Sequence, residues 1–381
     1  MSGYVSESVS FLPGVRAENV GVMRYFDSFV SNTTAGSGNQ YVFESDCEKH
    51  TGLLFYRLTC GGRSEYSLLF SDTLDSTFAD GSVSCANLCA GGFTLHSAAV
   101  CITGKPDASL DNAAFTPLSF AGRRGRTLSA GELVSTDPVG LEAAAGEYLC
   151  VRLEFSGRRI PYHEESLIPT FVLEDGRWKP SKRLPFLSML GCRRRVKAKL
   201  GFWGDSITQG IGTPFDSYTH YAARVAELLG NAYAYHDLGL GYARAEDAAS
   251  DGVWAYKAAQ NELVSVCFGV NDILRGRSES DIKRDLLHIV ERLTGSGVHV
   301  LIQSVPPFDY SGENIGKWER INAYIKEVIA PRADLYFDNT AVLSDPSAPE
   351  RALYGGHPNA EGCSAWAEAL APLIARYFEK S

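Results

Sequence analysis

Lys199-Leu200-Gly201-Phe202-Trp203-Gly204-Asp205-Ser206-Ile207-Thr208 is the stretch on which the fold turns. Its first half belongs to an apolar-rich run, Val196 to Trp203, that reads as a strand. The run stops at Gly204-Asp205-Ser206. A serine at the tip of a strand has its hydroxyl presented at the sheet edge, and its own backbone N–H can point at a developing oxyanion. A serine or aspartate in this place also caps a helix N-terminus, and from these residues alone both roles stay open.

Downstream of this stretch strands and helices alternate. Asp216 or Ser217 is expected to cap a helix carrying Tyr218, Tyr221, Val225 and Leu228 on one face and ending at Gly230. Strands are expected near Tyr233–Leu238, Leu263–Phe268 and Val298–Ser304. Ile282, Leu286, Ile289 and Leu293 mark a helix over Ser280 to Leu293, and further helices cover Ile315 to Ile329 and Ala360 to Phe378. This alternation argues for a doubly wound α/β fold, a parallel sheet with helices on both faces. Ligands of such sheets bind at the carboxyl ends of the strands, where three more polar motifs fall. Asp237-Leu238-Gly239-Leu240-Gly241-Tyr242 lets backbone approach a ligand, or makes a tight turn. Phe268-Gly269-Val270-Asn271-Asp272 offers an asparagine side-chain donor, or an Asx turn. Gly355-Gly356-His357-Pro358-Asn359 holds a histidine able to take a serine proton near neutral pH, in a segment that otherwise reads as loop.

Taken in order, Gly-Asp-Ser, a glycine-rich block, Gly-x-Asn-Asp and His-Pro-Asn resemble the four blocks of the SGNH (GDSL-type) hydrolase superfamily, over about residues 196–380. The resemblance implies a flavodoxin-like sheet, Ser206 as nucleophile and His357 as general base. It implies an oxyanion hole from the Ser206 N–H, the Asn271 side chain and an N–H of the Gly239–Tyr242 segment, with Gly241 the assigned donor. Three positions depart from the family pattern. Asp237 and Tyr242 stand where the second block has asparagine and its last glycine, and Tyr354 stands where an aspartate precedes the histidine by three residues. That leaves the partner of His357 open between Asp345, Glu350 and a backbone carbonyl.

Residues 1–190 follow a different pattern from residues 196–381. Short runs such as Leu53-Leu54-Phe55-Tyr56, Tyr66-Ser67-Leu68-Leu69-Phe70 and Tyr148 to Leu153 recur between glycine, serine and aspartate clusters. They predict an antiparallel β-sandwich or jelly roll, with turns at Gly61-Gly62, Gly91-Gly92 and Asp175-Gly176. Through Ser135-Thr136-Asp137-Pro138-Val139 and Gly61-Gly62 this half is similar to the β domain preceding the catalytic domain of some bacterial carbohydrate esterases. Those enzymes remove acetyl groups from xylan, mannan or their oligosaccharides. The junction, with Phe186, Leu187, Met189 and Leu190, is too apolar for a solvated tether.

Composition narrows the function classes. A net charge of −9 gives no electrostatic footprint for nucleic acid or an anionic membrane. Met1 to Ala17 lacks the pattern of a secretory signal, and no run approaches the length of a membrane span. Nine cysteines, an odd number mostly within apolar runs, read as buried thiols in a reducing, cytoplasmic setting. Cys85 and Cys89 lack a second pair at zinc spacing. The expectation is a cytoplasmic ester hydrolase without metal or cofactor, acting on a small-molecule or oligosaccharide ester and with no nucleic-acid or membrane partner. The alternatives are a lipolytic esterase, lysophospholipase or thioesterase, and a sugar-binding protein with a decayed site.

Overall fold

The computed structural model describes residues 24–46, 48–76, 78–79, 82–83, 88–110, 114–163 and 167–380. The Met1–Ala17 reading and Cys47 and Cys85 lie outside them. In the second half of the chain, β1 (Ala198–Gly204), β2 (Tyr233–Asp237), β3 (Leu263–Cys267), β4 (His299–Gln303) and β5 (Leu335–Phe337) form one sheet. Its order is β2-β1-β3-β4-β5 and every pairing is parallel.

Alternating side chains on β1 show how the helices are layered. Phe202 meets Tyr221 of α2 (Tyr221–Leu229) edge-on at 5.7 Å, and Tyr221 stacks on Trp366 of α8 (Ala360–Lys380) at 4.0 Å. Trp203 instead meets Trp254 of α4 (Val253–Ala258) at 5.4 Å and lies beneath the Arg292 guanidinium of α6 (Glu279–Gly295). Successive strand residues point to opposite faces, so α2 and α8 cover one side and α4 and α6 the other. Trp203, Trp254, Trp366 and Tyr221 are fully buried, and burying one large apolar side chain contributes on the order of 2–3 kcal/mol.

Before this sheet come two antiparallel sheets that share one core. In the first, Leu187–Cys192 lies between Val30–Ser31 and Gly62–Ser71, and the last of these also pairs with Leu133–Ser135 and Val139–Ala143. In the second, Phe93–Thr103, Tyr148–Ser156, His50–Arg57, Thr170–Glu174 and Arg177–Pro180 follow one another. Leu54, Leu68, Phe70, Leu149, Val151 and Leu153 fill the space between the sheets. Asp175 and Gly176 take φ of +51° and +71°. This is the left-handed pair that a two-residue hairpin needs, and it closes the last two strands.

The two halves are packed, not tethered. Leu187 and Leu190 point into the sandwich core, whereas Met189 on the same strand joins Leu69 and Leu133 against Val253 and Tyr256 of α4. A strand buried on both faces explains why the junction is so apolar. Polar contacts run alongside. Lys257 Nζ lies 2.6 Å from Asp75 Oδ2 with both side chains fully buried, and the Ser76 hydroxyl donates to Asp247 at 3.3 Å.

The structure corrects several expected elements. The helix expected from Asp216 or Ser217 begins only at Tyr221, with His220 before it. Asp216 and Tyr218 have φ of +56° and +53°, which no helix accommodates. Tyr218 belongs to the sandwich core, its hydroxyl accepting from the Arg57 N–H at 2.9 Å, and Leu228 is exposed. The apparent helical period therefore mixed two environments. Among the described cysteines all are free, and Cys89 alone is exposed, against the expectation of burial. No described helix is long and apolar enough to cross a membrane, and no described cluster of His, Cys, Asp or Glu is arranged to hold a metal ion.

Candidate active site

Three of the four motifs meet because their strands are neighbours. Strand β1 ends at Gly204, β2 at Asp237 on one side of it, and β3 at Cys267 on the other. Ser206 opens α1 (Ser206–Gln209), where Asp205 caps the helix by accepting the Ile207 N–H at 3.0 Å. The capping role thus falls to Asp205 and leaves the serine hydroxyl available. Ser206 Oγ lies 2.8 Å from His357 Nε2, a contact bridging 151 residues.

His357 arrives from the loop before α8. The ring of Phe308 stands edge-on to its imidazole at 5.2 Å. Gly212, at φ +101°, fits so closely that a Cβ there would sit 2.6 Å from the His357 carbonyl oxygen and 2.8 Å from its Cβ. Burial lowers the imidazole pKa below its usual value, because the charged form loses hydration. Near neutral pH the ring is therefore neutral, the form that can accept a proton. Neither candidate carboxylate is shown at the ring. Asp345 Oδ1 accepts the N–H and hydroxyl of Ser347 at 2.8 and 2.7 Å, and the Glu350 backbone carbonyl accepts the Tyr310 N–H at 3.3 Å.

The loop after β2 runs against α1. A Cβ on Gly239 would sit 2.1 Å from the Gln209 nitrogen, so only glycine permits this approach. The Leu240 N–H donates to the Gly204 carbonyl at 3.1 Å, and the Leu238 carbonyl accepts from Trp254 Nε1 at 3.0 Å. Asn271 sits in α5 (Val270–Leu274), and its Nδ2 donates to the Ala243 carbonyl at 3.0 Å. That bond uses one of its two N–H groups. Asp272, next in sequence, accepts the Ala245 N–H at 2.9 Å and pairs with Arg277 at 2.7 Å, which fixes the exit of the same loop.

The departures from the sequence pattern have local explanations. Asp237 Oδ1 accepts the Gly239 N–H at 2.8 Å, as an asparagine oxygen would, and its second oxygen lies 3.3 Å from His220 Nε2. His220 also reaches the Thr34 carbonyl of the β domain at 2.8 Å. The left-handed backbone falls on Tyr242, at φ +62°. This is the position where the family block has glycine, so the block is not shifted by a residue.

Several neighbours of the site were not anticipated. Phe308 touches His357, His163 Nε2 lies 2.9 Å from Gln209 Nε2, and Gln40 Nε2 donates to the Gly241 carbonyl. The two β-domain residues sit in polar stretches with no period or motif, so no sequence signal marked them.

Residues 202–365 match the model of the GDSL-like Lipase/Acylhydrolase family. No curated protein matches the chain. Similar solved structures include a family two carbohydrate esterase from Cellvibrio japonicus, 12% identical, covering 92% of this chain and 97% of that one with a TM-score of 0.40. Est24, a carbohydrate acetylesterase from Sinorhizobium meliloti, is 19% identical over 48% of this chain and 100% of its own, with a TM-score of 0.39. A member of the lipolytic protein G-D-S-L family from Veillonella parvula is 17% identical over 47% and 98%, with a TM-score of 0.38.

Proposed function

We propose that this chain, a serine esterase by virtue of its GDSL-like lipase/acylhydrolase domain, removes acetyl groups from sugars or oligosaccharides, with Ser206 as nucleophile and His357 as base. The observation that carries the assignment is the 2.8 Å contact between Ser206 Oγ and His357 Nε2 at the carboxyl end of β1. Ser206 Oγ attacks the ester carbonyl carbon while its proton passes to Nε2. The oxyanion is met by the Ser206 N–H, the second N–H of Asn271 and an N–H of the Gly241–Tyr242 step. Collapse expels the sugar oxygen, which takes the proton from Nε2, and leaves acetyl-Ser206. Water then repeats the sequence, and acetate leaves. His357 acts as a dyad partner held by packing against Phe308 and Gly212.

Two exposed aromatics support a sugar substrate. Tyr242 ends the oxyanion loop and Phe215 lies three residues beyond Gly212; an exposed ring offers a flat apolar surface to the CH face of a pyranose. A second reading, a longer acyl chain, is favoured by Leu274 and Leu353, exposed aliphatics within four residues of Asn271 and His357. Acetate release from acetylated xylo- and manno-oligosaccharides, beside a p-nitrophenyl ester series from acetate to palmitate, separates the two. Turnover that rises towards palmitate, with no acetate released, refutes the deacetylase reading. Full turnover in Ser206→Ala refutes the site itself.

A further inference from the structure

The segment of the β domain from Ala35 to Gln40 lies along the oxyanion loop and meets it through Gly36, Ser37 and Gln40. Ser37 donates to the Asp237 carbonyl twice, from its N–H at 3.2 Å and its hydroxyl at 2.9 Å. A Cβ on Gly36 would sit 3.4 Å from the Gly239 carbonyl oxygen, so the two backbones are in contact. Gln40 completes the series by donating its side-chain N–H to the Gly241 carbonyl. Its own backbone is fixed by donation to the Tyr162 carbonyl at 2.8 Å, and the residue is fully buried.

We propose that Gln40 is a positioning residue for the oxyanion hole, holding the Gly241–Tyr242 peptide so that the Tyr242 N–H faces the oxygen of the substrate ester. The inference rests on the esterase reading above and adds to it a residue from the other domain. Its geometry follows from peptide planarity. In a trans peptide the carbonyl and the N–H point opposite ways, so a donor holding the Gly241 oxygen fixes the Tyr242 N–H on the far side. The bond also polarises the amide and makes that N–H a stronger donor.

Two costs argue that this contact is retained for function. Tyr242 holds a left-handed φ of +62°, a conformation that a side chain of this size keeps only where its surroundings impose it. Released, the peptide has a lower-energy orientation to turn to, and Gln40 opposes that turn. Gln40 also buries its Oε1, to which nothing donates among the described residues. An apolar side chain would fill this space without leaving an acceptor unpaired; what it could not do is donate to Gly241.

The test uses the full chain and p-nitrophenyl acetate. Gln40→Met keeps the length and loses the donor; it is expected to lower kcat by about 10–100-fold with KM within about threefold, since an oxyanion donor acts mainly in the transition state. Phosphonate labelling of Ser206, which forms a similar oxyanion, should slow by a comparable factor. Cys60→Ala loses an interdomain contact to Asn231 at 3.2 Å, ahead of β2 and away from the loop, and should leave kcat within twofold. A folded Gln40→Met enzyme with kcat within twofold of wild type, or with a change confined to KM, overturns the proposal. So does an equal loss in Cys60→Ala. If Gln40→Met does not fold, Gln40→Leu takes its place, and failure of both to fold makes the residue structural and equally overturns the proposal. Ser206→Ala separates the two claims: if it is inactive while the Gln40 variants are not, only the role of Gln40 falls.

Discussion

Replacing the carboxylates upstream of His357 tests how the imidazole works without an aspartate three residues before it, where Tyr354 stands. In a serine triad, neutralising the buried aspartate costs about 10⁴ in kcat, because it holds the tautomer and stabilises the imidazolium formed during attack. Here Asp345 binds Ser347 within its own loop, and these bonds hold its pKa below the usual carboxylate value. The imidazole pKa is lowered by burial; a carboxylate on Nδ1 would raise it instead. Asp345→Asn and Glu350→Gln should therefore each change kcat/KM by less than about tenfold. The same lowering places the acidic limb of kcat/KM below the pH near 6.5 at which an ordinary histidine titrates. Activity is lost as pH falls through the folded pKa, when Nε2 is already protonated. The assay is kcat/KM on p-nitrophenyl acetate from pH 5 to 9, with circular dichroism as the check on folding. A loss of a thousandfold or more in either folded variant, or an acidic limb above pH 7, would show a carboxylate at the ring and refute the dyad.

Asn271→Ala should lower kcat by about 10²–10³ with a smaller effect on KM; a change in KM alone would make it a substrate-positioning residue. Lys257→Met should lower unfolding free energy by about 3–5 kcal/mol, since it strands a buried carboxylate, whereas adding Asp75→Leu should recover most of that loss in urea titrations. Equal instability in the single and double variants would contradict this. Asp205 is buried near Asp272, and its pKa is raised to about 7, chiefly by loss of hydration. The folded state therefore holds its proton more tightly than the unfolded chain, and its contribution to stability is present below about pH 4 and lost as pH rises to about 7. The full loss is about 4 kcal/mol. Asp205→Asn should remove that slope from the difference between variant and wild-type urea curves, and an unchanged slope would refute the assignment.

The legible part of the fold was the part written locally. Apolar runs at β1, β2 and β3 ended in three motifs of the site, and parallel pairing then brought the Ser206, Gly239–Tyr242 and Asn271 segments to one edge. The helices over 279–295 and 360–380 were marked by apolar spacing on long segments. Fidelity failed wherever the other half of the chain supplied the environment. Tyr218 looked like a helix residue because its true partner, the sandwich core, is not a neighbour in sequence. Strand β5 was missed because Leu335–Phe337 is only three residues long and half-buried, too short to show a period. The polar run Ala35–Gln40 looked like a loop, since its hydrogen bonds end some 200 residues away.

The two irregular positions of the second block are best understood together. Asp237 puts a second carboxylate oxygen into a fully buried place, where loss of hydration raises its pKa. His220 draws that value back down, and His220 is itself bonded to Thr34 of the β domain. Tyr242 puts a side chain where the backbone favours glycine, and the carbonyl just before it is gripped by Gln40 of the same domain. Each departure thus carries an energetic cost: the first is countered by His220, which Thr34 holds, and the second by Gln40. A hydrolase domain relieved of its β domain would keep both costs and lose the Thr34 bond that holds His220 and the Gln40 bond to Gly241. Lys257 would also be left without its buried partner. The β domain is therefore part of what shapes the loop after β2, and the unusual block is intelligible only with both halves of the chain.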